Sequence, residues 1–179
     1  MQMRAIVAVC GLLALLAAWT APGYAAGWCP LSRNMCGVRG LPSAVVEGII
    51  EVESGGNPWA LHVGHGKGRA FYPSSEGAAR RTLALALALT DNVDIGLMQI
   101  NWRTWGETAR RLGLAPYDLL DPKVNLWMGC RVLVRALKTR GSFERRLGRY
   151  HSWRPQRGRW YARRVLAAAR AAAAGRGGR

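Results

Sequence analysis

The chain has 179 residues, of which 26 are Lys or Arg and 10 are Asp or Glu, a formal charge of +16 at pH 7. That length suits one domain with a sizeable core, and no internal repeat is visible that would make it a solenoid. A surface this basic seeks polyanions, which leaves nucleic acid, an anionic membrane surface or an anionic cell-wall polymer as partners.

The first element is "MQMRAIVAVCGLLALLAAW", one arginine followed by an uninterrupted apolar run from Ala5 to Trp19 and then Pro22-Gly23. The run is short for a membrane-spanning helix, and Gly23-x-Ala25 offers small residues where a signal peptidase reads. Residues 1–25 are therefore expected to be a signal peptide, cleaved after Ala25 or Ala26. Cys10 lies inside the apolar run behind Val9, so it does not read as a lipid attachment site. Export places the protein in the periplasm and argues against nucleic acid as a partner, while peripheral contact with an anionic membrane stays open. Processing removes only Arg4 among the basic residues, so the positive charge survives it.

Three cysteines remain, Cys29, Cys36 and Cys130. An odd count in an oxidising compartment calls for one pair and one free thiol. The short spacing favours a Cys29–Cys36 disulfide. Cys130 then lies with Leu126, Leu133, Val134 and Leu137 on an apolar helical stripe, as a small buried hydrophobe.

Leu41-Pro42-Ser43 opens a helix in which Val46, Ile49, Ile50 and Glu53 share one face at spacings of three and four. Glu47 and Glu51 lie opposite, as solvated carboxylates. Ser54-Gly55-Gly56-Asn57-Pro58 ends the helix, because glycine permits the left-handed conformation and proline cannot continue the ladder. Glu53 is thus placed at a helix end, facing the core. A carboxyl held against apolar side chains is harder to ionise, which suits a general acid working near neutral pH.

A glycine-rich stretch follows, read as a loop or hairpin between Leu61 and Tyr72, with His62-x-x-His65 as a polar turn and not a metal-ligand pair. Glu76 to Leu89 is rich in Ala and Leu and reads as a helix capped by Ser74 or Ser75, despite a Leu-Ala alternation that also suits a strand. "DIGLMQINW" is apolar apart from Asp94 and Gln99, and a glutamine there needs a hydrogen-bonding reason. Asp121-Pro122 starts a further helix to Leu137. "GRYHSWRPQ" is a loop containing Tyr150, and a last helix runs from Trp160 to Ala174. The organisation expected is a domain over 26–170 and a basic, disordered tail over 171–179.

Four blocks, "IIEVESGGNPWAL", "DIGLMQIN", "LLDPKVNLWMGCRVL" and "RYHSW" followed by "YARRVL", together resemble the lysozyme-like lytic transglycosylases of the soluble-transglycosylase superfamily. They are most similar to its small exported members associated with conjugation and secretion systems. The resemblance implies a mainly α, lysozyme-like helical domain with at most a small β-hairpin, and an enzyme that cleaves peptidoglycan glycan strands without cofactor or metal. It makes Glu53 the single catalytic acid and base. Ser54, Gly96, Leu97, Met98, Gln99, Asn101 and Tyr150 are then substrate-binding, with Tyr150 donating its phenolic hydrogen bond to Glu53 and Gln99 holding an N-acetyl or hydroxyl group. Where the family has Tyr-Asn-Ala-Gly, this chain has Tyr150-His151-Ser152-Trp153, and residues from His62 to Asn92 form an insertion relative to compact members.

Ordinary glycosidases use two carboxylates. Here only Asp94, near the second block, and Asp121, at a helix start, accompany Glu53, so a one-carboxylate mechanism fits better. The competing readings are a hydrolytic lysozyme of the same fold, in which Asp94 positions a water, and a non-catalytic basic protein that holds a secretion apparatus to the wall.

Overall fold

The computed structural model describes residues 36–37, 41–64 and 68–177, with side chains to 174. The segment expected to be a signal peptide, with Cys10, and Cys29 and His65 lie outside the described residues. Within them the chain runs α1 (Ser43–Ser54), β1 (Leu61–Val63), β2 (Arg69–Phe71), α2 (Glu76–Leu89), β3 (Val93–Ile95), β4 (Ile100–Asn101) and α3 (Trp102–Arg111). A 3₁₀ turn (Pro116–Leu120), α4 (Pro122–Leu137), α5 (Phe143–Gly148) and α6 (Pro155–Gly177) complete it. No helix among the described residues is long and apolar enough to cross a membrane.

The fold is mainly α, as expected, with a small sheet. β1 and β2 form the hairpin anticipated between Leu61 and Tyr72. Two further short strands, from Val93 through "DIGLMQIN", extend it into a four-stranded antiparallel sheet in the order β2-β1-β3-β4. The insertion from His62 to Asn92 is therefore built into the architecture, as most of the hairpin and all of α2.

α1 buries Val45, Val46, Ile49 and Ile50 and stops at Gly55, whose φ of 59° is the left-handed cap its sequence calls for. It packs mainly on α6. A side chain at Gly48 would meet the carbonyl of Val165 and the backbone of Ala169, so the two helices approach at backbone distance. That closeness corrects the expectation for Glu47. Only Glu51 is solvated, whereas Glu47 is 3% exposed, because α1 is covered on more than its apolar stripe.

α2 forms as predicted, with the Ser75 side chain accepting from the Ala78 N–H. It buries Ala79, Leu83 and Ala86 at spacings of four and three, so helical periodicity prevails over the Leu-Ala alternation. α4 has the predicted limits, with Asp121 accepting from the N–H groups of Lys123 and Val124. α6 begins at Pro155 instead of Trp160, proline being well suited to a first turn. Its helical backbone continues to Gly177, through alanines that favour helix.

The disulfide is Cys36–Cys130, with a Cα–Cα distance of 4.8 Å, and not Cys29–Cys36. Cys130 is buried in α4 as its stripe suggested, but it is paired. Folding brings the segment before α1 to α4, a proximity that local spacing does not reveal.

Candidate functional site

An open cleft of about 1100 Å³ lies between the sheet and the segment that joins α5 to α6. Glu53, in the last turn of α1, lines it together with Gln99, Asn101 and Tyr150. These four, from three separate parts of the chain, are brought to one place. The other predicted site residues are not on its wall. Leu97 and Met98 are fully buried, and Gly96 is packed where any side chain would collide with Asn125 and the Leu119 carbonyl. Ser54 is also buried, its hydroxyl donating to the Leu97 carbonyl at 2.7 Å with the Ile50 carbonyl at 3.1 Å.

These residues build the site from behind. Ser54 fastens the end of α1 to the turn between β3 and β4, and Asn125 of α4 fastens that turn from the other side. The Asn125 Oδ1 accepts from the Met98 N–H, and its amide donates to the carbonyls of Ile95 and Leu119. Each bond satisfies a buried polar group that would otherwise cost about 1–3 kcal/mol. Gln99 follows with φ 49°, the one positive value at a non-glycine among the described residues. Its Nε2 donates to the carbonyls of Ala60 (3.0 Å) and Gly96 (2.9 Å), which stabilises the turn and leaves Oε1 as the side-chain acceptor for a ligand.

The hydrogen bond expected from Tyr150 to Glu53 goes elsewhere. The Tyr150 hydroxyl donates to the Met98 carbonyl at 2.9 Å. It is Tyr161, in the second turn of α6, whose hydroxyl faces the Glu53 carboxyl, in a bond looser than standard limits; that hydroxyl is buried and nothing else takes it up. The Tyr161 ring is flanked by stacked rings of Tyr150 (centroids 6.1 Å apart) and His151 (4.9 Å). Tyr161, Val165 and Ala169 recur every four residues on the buried stripe of α6. That periodicity marks Tyr161 as an inward residue, although nothing in it names Glu53 as the neighbour.

Burial raises the Glu53 pKa from the ordinary 4.5 to about 7. The hydrogen bond from Tyr161 opposes this, the negative charge of Asp94 adds to it, and Arg164 pulls it down. The carboxyl can therefore hold a proton near neutrality and release it within the same pH range. Burial and the nearby Glu53 charge push the hydroxyls of Tyr150 and Tyr161 well above their usual range, so both stay protonated donors. Burial lowers the His151 pKa, Asp94 opposes that, and Arg157 and Arg164 reinforce it.

Across the cleft, β1 and β3 set His62 opposite Asp94. The Asp94 carboxylate takes the His62 Nδ1 at 3.2 Å and the Asn101 amide at 2.8 Å. Asn101 also donates to Asn92 and caps α3 through its Oδ1, so its place is fixed on both sides. A second carboxylate thus shares the cavity, already engaged by two partners. No group of three His, Cys, Asp or Glu side chains among the described residues is placed to hold a metal.

The family model described as Transglycosylase SLT domain matches residues 33–171. Neither a comparison with curated proteins nor one with solved structures found a match.

Proposed function

Because the chain belongs to the transglycosylase SLT family, whose members are lytic transglycosylases acting on peptidoglycan, we propose that Glu53 is the group that cleaves the glycan here. In this reading it acts on the β-1,4 bond between N-acetylmuramic acid and N-acetylglucosamine. The observation that carries it is the Glu53 carboxyl, lining the cleft with its pKa raised to about 7. The protonated carboxyl gives its proton to the glycosidic oxygen, and the bond from that oxygen to the muramoyl C1 breaks. The resulting carboxylate then takes the proton of the muramoyl 6-hydroxyl as that oxygen bonds to C1. No water is consumed, and the product carries a 1,6-anhydro ring. One group serves first as acid and then as base, which requires a pKa close to working pH.

Tyr161 supports the charged form of Glu53 after proton transfer. Gln99 offers its free Oε1 to the sugar, Asn101, its side-chain amide engaged by Asn92, Asp94 and Thr104, braces the cleft wall, and Ser54, Gly96, Leu97, Met98 and Tyr150 hold the turn on which Gln99 sits. Asp94 favours a second reading, a hydrolytic lysozyme in which this carboxylate positions a water. Mass spectrometry of the products separates the two. Anhydro-muropeptides are expected, and products heavier by one water would instead establish hydrolysis.

The wider role proposed is that of an exported, periplasmic enzyme that opens the wall locally for a conjugation or secretion apparatus. Its support is the apolar amino-terminal run, the disulfide, the basic surface and the similarity of the four sequence blocks to small exported members. The exposed arginines of α6, including Arg159, Arg163 and Arg170, are suited to an anionic membrane or polymer.

Tyr161→Phe offers a test of the site's electrostatics. It removes an interaction that lowers the Glu53 pKa, so that pKa rises above about 7. The acid then stays protonated to higher pH, and the alkaline limb of kcat/KM against pH moves upward. A limb displaced to lower pH would contradict the arrangement.

A further inference from the structure

The cleft is electrically lopsided. Its sheet side carries Asp94, whereas its other side, from the α5–α6 segment and the start of α6, carries Arg149 and Arg157 beside Trp153 and Trp160. The two indoles are 70% and 55% exposed, which is costly for side chains of this size unless something covers them. The Arg149 guanidinium lies 5.0 Å from the Trp153 ring centroid and donates to the Arg140 carbonyl at 2.8 Å, while Arg164 lies 4.8 Å over Trp160. Neither Arg149 nor Arg157 meets a carboxylate among the described residues, although Arg80, Arg103, Arg111 and Arg163 each do.

A backbone of N-acetylated sugars is uncharged, so two guanidiniums gain nothing from it electrostatically. The anionic groups of peptidoglycan hang from the muramyl residue. They are the lactyl carboxylate where it is free and the stem-peptide carboxylates where the lactyl group is amide-linked. We propose that Arg149 and Arg157, with the indoles of Trp153 and Trp160 beside them, form a recognition site for the carboxylates on the muramyl substituent. The fork of a guanidinium pairs with a carboxylate in two parallel hydrogen bonds, and stacking on Trp153 holds the Arg149 fork in place. The exposed aromatic faces cover the apolar faces of sugar and substituent. The wall would thus fix which sugar of the strand lies beside Glu53. This assignment rests on the proposed peptidoglycan activity.

The test measures binding by calorimetry in the Glu53→Gln protein, which binds without turnover. Three probes of equal length are compared: a neutral N-acetylglucosamine oligomer, a glycan stripped of peptides so that its lactyl carboxylates are free, and a glycan with intact stems. Arg149→Gln/Arg157→Gln is expected to weaken binding of carboxylate-bearing glycan roughly tenfold, a change typical of a lost hydrogen bond to a charged group. Binding of the neutral oligomer should stay within about twofold, since only charge-assisted bonds are lost. A loss confined to stem-bearing glycan identifies the stem as the source of the carboxylate, and a loss for both anionic probes shows that the lactyl group suffices. Equal loss for the neutral oligomer, or no loss for any probe, overturns the assignment. Arg157→Gln alone leaves the Arg149–Arg140 bond in place and should show the same selectivity at smaller size, which guards against a disturbed loop. Failure of the broader reading looks different: wild-type protein would not cleave the wall at all, whatever these arginines bind.

Discussion

Glu53→Gln is expected to lower the rate of wall cleavage by roughly a hundredfold to ten-thousandfold, the usual cost of removing a general acid. Glutamine keeps the size and polarity of the side chain, so the end of α1 and its Ser54–Leu97 bond should survive. The substitution also carries its own control in stability. The folded pKa of Glu53, about 7, lies above the ordinary 4.5, so the favourable burial of its neutral form is fully present below pH 4.5. It is lost as pH rises through 7. Glu53→Gln has no charge to bury and should therefore be more stable than wild type at pH 8, with the gap closing as pH falls toward 4.5. Denaturant titrations at the two pH values read this directly. An inactive variant that was also unfolded would say nothing of catalysis; an inactive variant that gained stability at pH 8 would place a buried, proton-holding acid at this position.

The Cys36–Cys130 bond should be the largest single contribution to stability that one substitution can remove. It closes a loop of 94 residues, and restricting the unfolded chain over that length contributes roughly 4–5 kcal/mol in the chain-entropy account. Cys130→Ala should lower stability by about that amount, together with the cost of a small vacancy in α4. Cys29→Ser should leave it almost unchanged. Denaturation midpoints of the two variants decide the pairing, because a Cys29–Cys36 bond would make Cys29→Ser the damaging one. Reducing agent should destabilise wild type and leave Cys130→Ala unmoved.

The helices α1, α2 and α4 were legible because each has a local signal at both periodicity and cap: Gly55 after α1, Ser75 before α2, Asp121-Pro122 before α4. Glu53 was legible for the same reason, as the one carboxylate in register with an apolar stripe. α3 and α5 were not anticipated, since Trp102–Arg111 is dense in polar residues and Phe143–Gly148 is too short to establish a period. Glu47 was misplaced because α1 packs closely on α6, more than a hundred positions away, a contact its own periodicity does not reveal. The same limit applies to the site. Gln99, Asn101 and Tyr150 could be assigned to it only through likeness to a family, and which tyrosine faces Glu53 depends on how α6 docks on α1. The sequence pointed to Tyr150 alone; a carbonyl of the β3–β4 turn takes its hydroxyl and leaves Tyr161 to the carboxyl. Asn125, buried at the centre of the supporting network, reads in sequence only as a polar residue early in a helix.

The proposed mechanism needs one carboxyl group that is still protonated near neutral pH. Carbon-13 NMR of protein labelled at the glutamate side-chain carboxyl, with the Glu53 signal identified by its absence from Glu53→Gln, follows that proton directly as pH is varied. A midpoint of about 7 is predicted. A midpoint near 4.5, the value of an ordinary glutamate, would contradict the account and deprive the cleft of its acid.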